Sequence, residues 1–228
     1  SSALVANSTG YENVAVGKDS LKANTTGFRN QSFGTDSLLA NTTGQDNTAL
    51  GKSGLQDNTT GSYNVAAGNY ALANNTTASN NTAVGYYALE ANTTGADNVA
   101  VGKGALDANT TANSNTGIGL DALGAATTGG GNTAVGSSAL AANTTATVNT
   151  AVGYQTLLSN TTGTENVAVG AYALDAQTTS SYNTAVGHNA GTANSTGSQN
   201  VFVGRHSGYA NTTGADNVSL GSGNFSTN

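Results

Sequence analysis

Eleven asparagines stand in Asn-x-Thr sequences at one recurring place in the chain: Asn7, Asn24, Asn41, Asn58, Asn75, Asn92, Asn109, Asn143, Asn160, Asn194 and Asn211. Asn-x-Thr is the acceptor pattern for an N-linked glycan, so these residues could carry a line of sugars along one edge of the molecule. That chemistry needs an archaeal, eukaryotic or specialised bacterial host. The same residues also suit a turn, where Asn and Thr side chains bond the backbone and Asn tolerates the left-handed region. The second Thr persists where the Asn does not, at Thr128 beyond Ala126 and at Thr179 beyond Gln177, which favours the turn.

Other reactive side chains are few. His188 and His206 lie 18 residues apart with no cysteine in the chain and no carboxylate at ligand spacing. The sequence contains no Gly-x-Ser-x-Gly elbow and no phosphate loop. Paired carboxylates of the glycosidase kind would be expected where the chain departs from its own pattern, and none stands at such a place. The expectation is therefore a chain that is not an enzyme, with no catalytic, cofactor-binding or metal-binding residue. Tyr11, Tyr63, Tyr70, Tyr86, Tyr87, Tyr154, Tyr172, Tyr182 and Tyr209 could stack on sugars or proteins, or simply cover turns. A loose acidic row (Glu12, Asp46, Asp97, Glu165, Asp216) reads as solubilising, since no Gly-Gly-x-Gly-x-Asp calcium repeat accompanies it.

All of these residues hang on one repeat. The Asn that opens Asn98-Val99-Ala100-Val101-Gly102 recurs thirteen times, from Asn13 to Asn217, at a constant step of 17 residues. Residues 81–97 (NTAVGYYALEANTTGAD) serve as the type copy, with Asn81 as position 1. Position 4 is apolar in every copy, position 5 is always Gly, position 9 is Leu in eleven copies, and position 3 is mostly Ala. The apolar segments are short, β-branched in the first half, and bounded by Gly and Asn, which is strand and turn punctuation. Sustained i, i+3, i+4, i+7 spacing, the mark of a helix, is missing.

The pattern predicts an all-β fold: a parallel β-solenoid, or β-roll, of 17-residue coils with two short strands per coil, forming a single repeat domain over residues 1–228. Strands stacked about 4.8 Å apart would make thirteen coils roughly 60 Å long. The position 4 valines are expected to face the position 9 leucines across a dry core, and the position 1 asparagines to form an amide ladder. The Ala/Gly face of the strand would then lie outside, against another chain, because a strand apolar on both faces reads as buried on both.

Composition narrows the class. Pro, Cys, Met and Trp are all zero, charged residues make up 8%, and the net charge is −6. Six scattered cations argue against a nucleic acid or an anionic membrane as partner. No apolar run approaches a membrane span. Missing cysteine fits an extracellular, cell-surface or virion setting. No signal peptide or initiator Met is seen, and the chain opens and closes in mid-coil. Leu at position 9 gives way to Gly191, Gly208 and Phe225 in the last copies. The expectation is a segment of a longer fibre, or a unit that stacks end to end.

The NTAVGYYAL and NTAVGYQTL units with their NTTG linkers resemble the repeats of phage tail fibres. They are also similar to the head repeats of trimeric autotransporter adhesins (YadA-like), built on an N-S-V-A-I-G core. The resemblance spans the chain and implies a left-handed, trimeric β-roll. The 17-residue period is longer than the adhesin one, and neither a membrane anchor nor a C-terminal chaperone domain is present. The expected function is a structural and adhesive fibre segment (phage tail fibre, surface adhesin or extracellular filament), self-associating and binding a glycan or cell-surface receptor at its turns or at an absent tip. The alternative is a solenoid whose repetitive Asn/Thr face contacts ice or glycan.

Overall fold

A computed structural model of the protein describes residues 2–223, so Phe225, named above, lies outside the described residues. The chain forms two compact units, Ser1–Ser114 and Asn115–Asn228. Each is a β-solenoid of 17-residue coils, and no helix occurs among the described residues. The first unit carries β1 (Val14–Val16), β2 (Gln31–Phe33), β3 (Thr48–Leu50), β4 (Val65–Ala67), β5 (Thr82–Val84) and β6 (Val99–Val101). The second carries β7 (Thr116–Ile118), β8 (Thr133–Val135), β9 (Thr150–Val152), β10 (Val167–Val169), β11 (Thr184–Val186), β12 (Val201–Val203) and β13 (Val218–Leu220). Within each unit, successive strands pair in parallel and in strict register, Thr82 with Val99 and Thr133 with Thr150, so the sequence period is the register.

Each coil holds one strand, not two. The second segment, around position 9, also bonds from coil to coil: the Leu38 N–H donates to the Gly54 carbonyl at 2.9 Å, and the Leu140 N–H to the Thr156 carbonyl at 3.0 Å. Its backbone is not extended, however. The position 9 leucines lie in the left-handed region with φ of 48–54°, and positions 7 and 17 share that conformation. Left-handed backbone costs roughly 1–2 kcal/mol per non-glycine residue. It is the geometry that turns so short a coil, and nothing in a Leu side chain announces it. Position 5 is different. There φ runs from 110° to 150°, and a Cβ would strike the carbonyl of the same glycine one coil on, as Gly136 would strike Gly153. Only glycine meets both conditions.

The core overturns the expected direction of the strand. Ala49, Ala66, Ala83 and Ala100, and in the second unit Ala134, Ala151, Ala168 and Ala185, are fully buried at position 3. The position 4 side chains point outward: Val16 is 55% exposed, Leu50 45% and Ile118 38%. Position 9 is inside as expected, with Leu21 through Leu174 buried. The seam is therefore Ala–Leu, with the small residues of position 8 beside it, and not Val–Leu.

The asparagines decide the matter. Alternate strand residues point to opposite faces, so positions 1 and 3 share a side. Asn81 turns inward, where its Nδ2 donates to the Gly95 carbonyl at 2.9 Å and its N–H to Asn64 Oδ1 at 3.0 Å. Asn149 does the same with Gly163 and Asn132, both at 2.9 Å. With Asn inside, Ala must follow, and Val must leave. A coil of this girth also has room for alanine opposite leucine, not for two branched side chains.

Candidate functional surface

The sequon asparagines form a second inward ladder. Asn58 Nδ2, the atom a glycan would occupy, donates to Asn41 Oδ1 and to the Gly61 carbonyl, both at 2.9 Å. Asn24, Asn41, Asn58, Asn75, Asn92, Asn109, Asn143, Asn160 and Asn194 are fully buried, while Asn7 and Asn211 are half-buried. Asn7 Nδ2 donates to the Gly10 carbonyl at 2.9 Å and Asn211 Nδ2 to the Gly214 carbonyl at 3.0 Å. A sugar on any buried member would displace those bonds and cannot coexist with this fold. The turn reading accounts for the row, since a backbone carbonyl three residues on accepts from each amide.

The threonines after those asparagines divide their work. Position 13 hydroxyls bond along the stack, as Thr42 Oγ1 donates to the Thr59 carbonyl at 3.0 Å and Thr144 Oγ1 to the Thr161 carbonyl at 3.3 Å. Position 14, from Thr9 to Thr213, is exposed in every coil. Each unit thus carries one outward threonine row.

The broadest feature is the strand face itself. In each unit, positions 2 and 4 present two outward side chains per strand on an in-register parallel sheet. These are Val or Thr at position 2, with Gln31 the exception, and Val, Ile, Leu, Phe or Ala at position 4. No charged residue occurs at either position in any of the thirteen strands. The exposure is large for apolar groups: Val84 is 39% open and Val167 40%. Sequence reasoning found the right residues and assigned them to the wrong side.

Two edges bound this face. Position 17 precedes the strand, and Glu12, Arg29 and Asp46 line one shallow depression with Gln31 and Thr48 of position 2. There Arg29 Nε pairs with Asp46 Oδ1 at 2.8 Å, which holds the Arg29 guanidinium above its ordinary pKa. Positions 6 and 7 follow the strand and carry most of the rings. In the first unit Tyr70 stacks on Tyr87 at 5.2 Å between centroids, and Tyr86 meets Tyr87 edge-on at 4.1 Å. The hydrogen bond that the Tyr87 hydroxyl donates to Tyr86, helped by burial and neighbouring charge, pushes Tyr87 up to about 12. In the second unit a ladder runs Tyr154, Tyr172, His188, His206, Tyr209 with centroids 5.3–6.0 Å apart. Tyr209 stands at position 10, and Tyr11, stacked on Phe28 at 4.8 Å, Tyr63 and Tyr182 sit at positions 16 and 17.

The two histidines are thus part of an aromatic stack, their rings 5.8 Å apart. Among the described residues no group of three or more His, Cys, Asp or Glu side chains is gathered to hold a metal ion. The acidic row of position 17 lies along the leading edge of the strand face, its members in separate coils. Comparison of the chain with family models, with curated proteins and with solved structures finds no match.

Proposed function

We propose that the chain is a structural, adhesive fibre segment, non-enzymatic, whose coils associate with further copies of the same chain through the face formed by positions 2 and 4. The observation that carries this reading is the outward sheet face, apolar or Thr-bearing and without charge at any rung. A contiguous exposed apolar patch beyond a few hundred Å² marks an interaction site on most soluble proteins. Burying the exposed part of one such valine is worth about 1 kcal/mol at 25 cal/mol per Å². Repeated over the strands of a unit, that is sufficient to drive association. Three parallel copies around a common axis is the arrangement implied by the adhesin resemblance, and an extracellular, cell-surface or virion location suits a stack of rungs without cysteine.

Sedimentation velocity tests the reading. The unaltered chain is expected to run as an oligomer, and Val84→Lys with Val101→Lys as a folded monomer. A monomeric unaltered chain at tens of micromolar would remove self-association from the account.

A second reading, a surface-binding solenoid, draws on the exposed threonine row of position 14 and on the threonines of position 2 (Thr48, Thr82, Thr116, Thr133, Thr150, Thr184). Regularly spaced hydroxyls on a flat side suit ice or a glycan. Thermal hysteresis separates the two readings: ice activity favours the second, whereas sugar binding on an array is open to both.

A further inference from the structure

We propose that the shallow depression lined by Glu12, Arg29, Gln31, Asp46 and Thr48 is a saccharide site, and that its ligand is an uncharged sugar ring held through its hydroxyls. This rests on the adhesive half of the reading above, for which it names a ligand class and a place. It does not need self-association.

The depression lies where the repeat departs from itself. Position 2 is Val or Thr in every strand but β2, which opens on Gln31, and position 17 is a cation in no coil but the one that ends at Arg29. The two exceptions stand two residues apart, on either side of the buried Asn30. Coils that otherwise repeat one outline thus carry, on one outer edge, a place unlike its neighbours. The depression measures about 410 Å³ and lies within the first unit, across successive rungs about 4.8 Å apart. That volume falls in the range of small-molecule sites.

Its centre is held and its rim is open. The Arg29 guanidinium meets Asp46 as a fork, Nε to Oδ1 at 2.8 Å and Nη2 to Oδ2 at 2.9 Å. Its carbon lies 4.8 Å from the centre of the Phe28 ring, itself stacked on Tyr11. A guanidinium keeps further N–H donors beyond those the fork uses. Among the described residues, no hydrogen bond or contact ion pair engages the side chains of Glu12, Gln31 or Thr48. A donor fixed before the ligand arrives loses little freedom on binding.

Charge selects the ligand class. Glu12 and Asp46 against Arg29 leave one net negative charge, and no other charged residue stands at positions 15–17 or 1–4 of these coils. An anion would face two carboxylates. A cation would gain Glu12 alone, at an exposed place where an ion pair is worth little. A hydroxyl both donates and accepts. Adjacent hydroxyls of a sugar can donate to Glu12 while accepting from Arg29 and Gln31, and Thr48 can take either part.

Saturation-transfer difference NMR on the unaltered chain tests this. The probes are methyl glycosides of glucose, galactose, mannose and N-acetylglucosamine at millimolar concentration, with sialic acid and glucosamine as charged counterparts. At least one neutral glycoside should receive saturation, and neither charged sugar should bind more tightly. Gln31→Val gives position 2 the residue found at Val14 and Val65. Arg29→Asn gives position 17 the residue of Asn80, in the same left-handed backbone (φ 54° and 63°), so circular dichroism should be unchanged in both. Gln31→Val should weaken binding several-fold and Arg29→Asn about tenfold. Asp97→Asn, at position 17 outside the depression, should leave it as it was. No saturation of any neutral glycoside, tighter binding of a charged sugar, equal loss in Asp97→Asn, or affinity unmoved by Gln31→Val and Arg29→Asn overturns the site. Sedimentation of the same samples keeps the two proposals apart. An oligomer that binds no sugar overturns this site and leaves the fibre reading, whereas a monomer that binds sugar through Arg29 and Gln31 removes self-association and leaves the site.

Discussion

The Phe202 ring fills the space that a leucine would take at Gly208. Phe202 is fully buried at position 3 of β12, where the other strands carry alanine, serine or glycine, and a Cβ built on Gly208 would overlap its ring. Gly191, one coil earlier, meets the same ring. Among the described residues, the two coils that lack the position 9 leucine are the two that border the one large residue at position 3, so core volume is conserved by exchange across the seam.

That exchange can be reversed. Phe202→Ala alone should cost about 3–5 kcal/mol, as a large ring lost from a packed core does. Adding Gly191→Leu and Gly208→Leu should recover much of the loss, because leucine already occupies this left-handed backbone in ten described coils of φ 48–54° beyond the first rung. Urea denaturation measures both. A triple variant no more stable than Phe202→Ala would break the link between these residues.

The amide ladder at position 1 is equally exposed to a single change. Asn81→Ala removes the Oδ1 that accepts from the Asn98 N–H at 3.0 Å and from Asn98 Nδ2 at 3.2 Å. Asn98 Nδ2 keeps the Ala112 carbonyl at 2.9 Å, whereas the Asn98 N–H loses its acceptor, and such a loss at a buried donor costs about 1–3 kcal/mol. The expected loss is several kcal/mol, far above that of Asn80→Ala on the surface one residue earlier, and thermal melting of the pair compares them directly.

The ladder at position 12 contains a repairable gap. Ala126 offers no acceptor to Asn143, whose amide has turned so that its Oδ1 accepts from the Ala146 N–H at 3.0 Å and its Nδ2 reaches the Ala146 carbonyl only at 3.4 Å. From Asn24 to Asn109 this Nδ2 donates to the preceding asparagine, as Asn75 does to Asn58 at 2.8 Å. Ala126→Asn is expected to raise stability by roughly 1 kcal/mol, the net worth of one such bond. The denaturation midpoint reports it.

What could be read in the sequence followed from spacing. The period, the parallel pairing and the register are one fact, because Asn at a fixed step cannot be satisfied by any arrangement that does not stack it. The buried leucine at position 9 was legible for the same reason. The face of the strand was not, since Val looks like core by type. Alanine in the core carries no hydropathy signal strong enough to outweigh it. The signal that does decide it is polar: Asn at position 1, invariant through thirteen copies, is an inward residue because its amide bridges to carbonyls of position 15. The second strand was misread because its leucines adopt a backbone that leucine seldom visits. The sequons were ambiguous by type alone, and burial assigns them to the turn.

Produced in a host that glycosylates Asn-x-Thr, the buried position 12 asparagines should therefore stay unmodified, and any saccharide should fall on exposed acceptors such as Asn74 and Asn80. Glycopeptide mapping by mass spectrometry checks this. Saccharide on Asn58 or Asn75 of folded protein would contradict their placement.

The most direct test of which side of the strand is core compares Ala134→Asp with Val135→Asp by far-ultraviolet circular dichroism and sedimentation. Ala134 is fully buried and Val135 half-buried, with its side chain on the outward face. A buried, unpaired carboxylate costs several kcal/mol. Ala134→Asp should lose the strand signal and cooperative melting, while Val135→Asp should keep both and lose only association. A folded Ala134→Asp beside an unfolded Val135→Asp would contradict the assignment.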